Sequence, residues 1–253
     1  MSPVSETGRR GVYFLNQITM NYHPVKFFVG VLCAFLACNS LLAGNLVSKD
    51  FPVRSFTAIE LKGVGNIFLT QGDTESVRIE TDTTIFSTVE LENEGDKLTI
   101  SSTVDFSHRD RSEMNIYITV NHLKSVRFND VGVVTSNNEL KTDTLDFLME
   151  SVGKASIALQ CKLLNVHFAG VGKFEAKGKA IKLMLDAKGV GQVQLSNLLA
   201  NEADVRFSGV GNVEVYASDA ITIKSNGIGK VIYKGHPRKT DIHKEGVGSV
   251  LAQ

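Results

Sequence analysis

The chain has no tryptophan, only 4 prolines and 3 cysteines, zero formal net charge, and no convincing long helical pattern. Each shortage closes a route. Without tryptophan, the commonest aromatic platform for stacking sugar rings is missing. A neutral chain without a strip of interleaved basic and aromatic residues is a poor nucleic-acid binder. Cys33 and Cys38 fall in one N-terminal apolar segment, which leaves Cys161 without an intrachain partner and no framework of disulfides or zinc ligands. Scarce proline, and no serine-rich linker, argue against a second domain. A composition of 43% hydrophobic residues is otherwise that of an ordinary soluble chain.

What the sequence does have is a short phrase repeated eight times, as in Gly209-Val210-Gly211-Asn212-Val213. The other copies begin at Gly63, Asp130, Ser151, Gly170, Gly189, Gly227 and Gly246. From Val131 onward the central residues lie 21, 19, 19, 20, 18 and 19 apart. A period near twenty that carries a strand pattern marks a stacked solenoid. The expected fold is therefore all-β: a parallel β-solenoid with coils of about 19–20 residues. Before Val210, Ala203, Val205 and Phe207 alternate with Asp204, Arg206 and Ser208, so one set faces the core and the other faces water. Phe207, Val210 and Val213 are then spaced by three, which reads as a corner on each side of the central valine. Two short strands flank that bend, and a third, more variable turn closes the coil.

The second glycine of the phrase occurs in all eight copies: Gly65, Gly132, Gly153, Gly172, Gly191, Gly211, Gly229 and Gly248. Such regularity fits a positive φ, or a corner where neighbouring coils leave no room for Cβ. Asp130 and Ser151 replace the first glycine, so that position tolerates a small polar side chain. A phosphate-cradling loop needs a helix N-terminus after its glycines, and here a strand follows each time.

At the N-terminus, Lys26 precedes the apolar run Phe27–Cys38, and Leu41-Leu42-Ala43-Gly44 follows Asn39-Ser40. A positive residue, a compact apolar core and small residues beyond it form a secretory signal peptide. Residues 1–45 are thus an N-terminal extension and signal peptide, with Met1 or Met20 as the start, and 46–253 a single solenoid domain. Cleavage near Ala43 or Gly44 is one outcome. Acylation of Cys38, in a segment loosely like a lipobox, is another, and an uncleaved anchor is a third. The periplasm, the outer-membrane surface and the extracellular space are the compartments these routes allow.

Residues 46–130 hold the first phrase, then strand-like alternation at Val77-Arg78-Ile79, Leu98-Thr99-Ile100 and Ile116–Val120. The 67-residue gap from Val64 to Val131 reads as irregular coils continuous with the rest, with a polar loop over Phe106–Ser112. The segment Phe56–Gly72 (FTAIELKGVGNIFLTQG), the later Gly95–Ile100 and the glycine-valine-glycine series resemble the head GIN domain family of autotransporter adhesins, over about residues 51–250. The resemblance implies an exported bacterial β-solenoid of right-handed coil, and it supplies no catalytic residues. No membrane-barrel strands follow Gln253, so a head domain is implied rather than a self-translocating autotransporter.

In a solenoid, equivalent residues stack about 4.8 Å apart and outward columns become ladders. One reads Arg127, Leu148, His167, Asp186, Arg206, Lys224, His243, with Asp186 placed to pair with Arg206. Another reads Ser125, Asp146, Asn165, Met184, Asp204, Thr222, Asp241. An enzyme acting on polysaccharide needs converging acids. The nearest case, Glu175–Gln194–Glu214, sets its two carboxylates about 10 Å apart, beyond both the retaining and inverting spacings. His167 and His243 stand four coils apart, too far to share a metal. Lys154, Lys173 and Lys230 form a corner suited to weak binding of anionic glycans. These observations favour an exported binding, adhesive or structural module, without cofactor, over a surface polysaccharide-processing enzyme. The expected partners are a surface glycan, an envelope protein, or a second copy docked on the terminal coil that carries Val247, Val250 and Leu251.

Overall fold

A computed structural model describes residues 46–103, 114–129 and 131–253. The signal segment with Cys38, both candidate starts, the Phe106–Ser112 loop and Asp130 lie outside the described residues. The strands are β1 (Leu46–Phe51), β2 (Ala58–Lys62), β3 (Val64–Gln71), β4 (Ser76–Asp82), β5 (Val89–Glu94), β6 (Lys97–Ser102), β7 (Asn115–Val120) and β8 (Ser125–Phe128). Five long strands follow, β9 (Val131–Met149), β10 (Val152–Phe168), β11 (Val171–Ala187), β12 (Val190–Phe207) and β13 (Val210–Ser225). The last are β14 (Ile228–Lys234), β15 (Lys239–Lys244) and β16 (Val247–Ala252); α1 (Thr83–Phe86) is a single turn. All sixteen strands join one sheet, and β9 to β14 pair in parallel, each with the next coil. The chain is a parallel β-solenoid.

Each long strand runs from one phrase nearly to the next, and the phrases align rung on rung. Val152 stands beside Val171, Val171 beside Val190, and Val190 beside Val210. Differences in coil length are absorbed in the third turn. There the register shifts between Ser156 and Ala158, between Glu175 and Lys177, and between Leu195 and Glu202. Inside, the inward residues stack by column with complementary sizes. Phe128, Met149, Phe168, Ala187, Phe207 and Ser225 follow one another along one column. Phe147 meets Phe174 edge to face, centroids 5.0 Å apart, with the small Ala155 directly beside Phe174 in its column. Each fully buried aliphatic or aromatic side chain contributes about 1.5–3 kcal/mol, so the core needs no cross-link.

Two expectations change. The phrase does not place its central valine between two slips of the pattern. Phe207 and Val213 are buried, whereas Val210 is 45% exposed. The inward series in fact continues unbroken through 205, 207, 209, 211, 213 and 215, with glycines in the two slots at the corner. The three-residue spacing arises because Val210 belongs to the outward set. A single bend at Ser208-Gly209 precedes it, and its amide donates to the Gly189 carbonyl one coil back, at 3.0 Å.

The gap from Val64 to Val131 is also not a run of stacked coils. Val64 and Val131 are neighbours in register, one rung apart. Between them the chain travels outward and returns. Strands β6 and β7 build a rung on the far side of β2 and β3, in parallel. Beyond it, β4 pairs antiparallel with β7, β1 with β4, and β5 with β6. Antiparallel strands thus close the N-terminal end of the stack and turn a parallel edge into a cap. At the other end β15 is exposed along its whole length, and β16 over most of it.

The invariant glycine is required by its neighbour. At Gly211 φ is +137°, and a Cβ built there would lie on the carbonyl oxygen of Gly191. Gly191 has the same relation to Gly172, and Gly229 to Gly211. The first glycine slot is less strict, yet its occupant in the third phrase is not comfortable: Ser151 is buried and its hydroxyl has no hydrogen-bond partner among the described residues. Replacing Gly211 by Ala is expected to cost about 2 kcal/mol or more, from overlap and backbone strain. Asn212→Ala, one residue on and exposed, should stay within about 0.5 kcal/mol. Equal urea midpoints for the two would refute this register. Ser151→Ala, which removes the unpartnered hydroxyl and keeps Cβ, should raise stability by up to about 1 kcal/mol in the same assay.

Candidate functional site

Because the sheet winds in register, side chains on its outer faces become rows, and any site here must be built from rows. The face before each phrase presents the expected column Arg127, Leu148, His167, Asp186, Arg206 in neighbouring rungs. Its ion pairs differ from expectation. Asp186 is 3.1 Å from His167 Nδ1 and 2.9 Å from Lys188, while Arg206 lies 4.0 Å from Asp204 on its own strand. Asp186 is engaged by the His167 ring and the Lys188 ammonium, and the anticipated Asp186–Arg206 pair does not form within 4.0 Å. On the next row Asn165 donates to Asp146. These side chains line a groove of about 580 Å³ across β8 to β12. It is open, with hydrogen-bonding groups of both signs at rung spacing among apolar neighbours such as Leu148 and Met184.

Two of the three corner lysines are already engaged, while Lys230 has no carboxylate within 4.0 Å among the described residues. Lys154 approaches Glu175 to 3.0 Å, and Lys173 pairs with the same carboxylate. The hydrogen bond from Lys173, helped by Lys154 against the opposing effect of burial, holds the Glu175 carboxyl below the usual range. That is the wrong direction for a general acid. Glu175, Gln194 and Glu214 do form one column, as read from the sequence. Glu214 accepts from Ser196 Oγ at 3.2 Å and lies 3.8 Å from Lys234. Both acids are thus engaged by neighbours on the protein, and Glu175 lines a depression of only about 180 Å³. Among the described residues no group of three His, Cys, Asp or Glu side chains is arranged to hold a metal ion. His243 pairs with Asp241 at 3.1 Å on its own strand.

These features match those of known proteins. A family model described as "Putative auto-transporter adhesin, head GIN domain" matches residues 55–237. The chain belongs to the head GIN domain family. A solved structure titled a putative adhesin, from Bacteroides fragilis, is 32% identical, covers 83% of this chain and 98% of its own, and superposes with a TM-score of 0.80. Two structures from Parabacteroides distasonis, titled a putative lipid binding protein and a putative adhesin, are each 19% identical over 83% of this chain. They cover 97% and 98% of their own chains, with TM-scores of 0.62 and 0.61, and show the same fold. No curated protein matches the sequence.

One row of this head GIN domain was missed in the sequence. Val131, Val152, Val171, Val190, Val210, Ile228 and Val247 form an outward aliphatic ladder, each 45–72% exposed. The signal was present in the even spacing from Phe207 to Val213, which puts everything between at alternate parity. Cys161 falls where expected, in the variable turn, and it is buried with its thiol pushed up to about 11 by desolvation. It should therefore resist alkylation by iodoacetamide at pH 8 in the native protein and react readily in urea. A folded value above the unfolded 9.0 also means that its contribution to stability is present below pH 9 and is lost as pH rises toward 11. Cys161→Ala should flatten that alkaline slope. Rapid native labelling at pH 8 would contradict the burial.

Proposed function

We propose that this chain is an exported head domain of the bacterial cell envelope that binds, adheres or spaces without catalysing a reaction. The observation that carries the reading is the outer surface itself. Polar side chains stand in register along the stack of coils, and the acids lining its depressions are already engaged by a lysine, arginine, histidine or amide neighbour. Such a surface suits repeated weak contacts along an extended ligand, because rungs repeat at a fixed pitch and many contacts add by avidity. Membership of an adhesin-named family supports a surface or exported location. The N-terminal segment, with Lys26, its apolar run and small residues, supplies the route of export. Cys38 acylation would tether the domain to a membrane, and cleavage near Ala43 would release it.

The test joins location, binding and turnover. Fractionation of cells making the full chain should recover it from the periplasm, the outer membrane or the medium, with labelled palmitate on the wild type and not on Cys38→Ser if the tether is used. An array of glycans, matrix proteins and lipid vesicles should show at least one class retained, and the retained glycans should be recovered intact. The vesicles are included because one relative is titled a lipid-binding protein. Recovery solely from the cytosol would overturn the location. Shortened glycans after incubation would overturn the non-catalytic reading in favour of a polysaccharide-processing enzyme.

A further inference from the structure

A second, larger groove of about 1070 Å³ lies along the variable turn of β9 to β12. Lys141, Gln160, Lys179 and Leu199 occupy successive rungs of one outward column along it. Lys162 and Ile181 follow two residues on from Gln160 and Lys179, and Lys124 lines the same groove. Most of its lysines are unpaired among the described residues. Lys162 is paired with Asp143 at 2.9 Å, but among the described residues Lys124, Lys141 and Lys179 have no carboxylate within 4.0 Å. Lys154 and Lys173 at the corner, by contrast, both pair with Glu175. Two large aliphatic side chains, Ile181 and Leu199, are 55% and 46% exposed on the groove walls. Asp143 and Asp146 are interspersed with the lysines, as are Gln160 and Asn201.

We infer that this groove binds a linear acidic polysaccharide, one uronic acid per disaccharide, laid along the stack of coils. The inference rests on the binding-module reading and names its ligand class. Three features select that ligand. Lys141 and Lys179 are two rungs apart, about 10 Å, which is close to the length of a disaccharide and so to the pitch of its carboxylates. The aspartates would repel a uniformly charged polyanion or an anionic membrane, but they accept hydrogen bonds from sugar hydroxyls. Ile181 and Leu199 offer apolar contact to the C–H faces of pyranose rings, a role that requires no tryptophan. A flat bilayer would reach the lysines without entering the groove and would gain nothing from the acids beside them.

The test uses the full chain and a fluorescent octasaccharide of alternating glucuronic acid and N-acetylglucosamine. A neutral octasaccharide of N-acetylglucosamine and phosphatidylglycerol vesicles run beside it. The acidic sugar should bind with an affinity that falls as salt rises. Lys141→Ala with Lys179→Ala should weaken binding by about tenfold. Lys224→Ala with Lys244→Ala, two exposed lysines outside the groove, should leave it within about twofold, and unchanged melting of both pairs excludes a folding defect. Equal affinity for wild type and the groove variant overturns the proposal. So does failure to bind the acidic sugar by a chain that retains another glycan or a matrix protein, an outcome that leaves the binding-module reading standing. Lysine-dependent capture by the vesicles, without capture of the acidic sugar, overturns it in favour of a membrane surface. A chain that retains no member of the wider array fails the binding-module reading itself.

Discussion

Stacked coils of backbone can lie at the spacing of a parallel sheet only where nothing stands between them, and at the sharpest corner of this solenoid a single β-carbon would. In the column that runs through Gly172, Gly191, Gly211 and Gly229, the space for each Cβ is filled by the carbonyl oxygen of the glycine one coil earlier. The requirement is mutual and therefore propagates. Each glycine makes room for the next, and the constraint recurs at every rung. With the corner set, the amides of Val190, Val210 and Ile228 reach carbonyls one coil back, at 2.9–3.0 Å. The long strands on either side then fall into register. Core packing, the outward rows and the grooves are consequences of that register.

The N-terminal end follows a different rule because a stack must stop somewhere. Strands β1, β4 and β5 run antiparallel to their neighbours and fold the chain back over the last rung, with only β5 and β6 joined by a short turn. The cost is a long excursion in sequence, from β4 through β7, for one rung in space. Both rows and cap are built from the same alternating pattern. The strands of β4 and β7 bury Val77, Ile79, Ile116 and Ile118 against the same core as the coils.

Much of this was legible in the residues, and the reasons are specific. Gly211 announces its role because a glycine that recurs at every rung has a steric cause that recurs with it. The inward identity of Ala203, Val205 and Phe207 follows from alternation alone. Val210 was harder, since an apolar residue between two apolar residues looks like core. Only the count from Phe207 to Val213 shows that it faces out. The order of the first rungs was not legible at all. Alternation marks β4, β6 and β7 as strands, but it carries no information about which edge of the stack each one joins. Ion pairs were equally hidden: register places Asp186 beside Arg206, while side-chain reach hands Asp186 to His167 and Lys188. The lysine groove was missed because its residues lie in the variable turn, where register shifts break the columns that a sequence reading can follow.

The account stands or falls on the phrase being a rigid, hydrogen-bonded corner whose valine happens to face water. Native-state hydrogen exchange at the amides of Val190, Val210 and Ile228 tests this most directly. The side chains of these residues are about half exposed, and a loop bearing them would exchange freely. If the glycine column holds the coils at sheet spacing, these three amides should be as protected as those of Val193, Val213 and Val231 in the core, and should exchange only through global unfolding. Exchange at the rate of an open loop, with the core valines still protected, would contradict it.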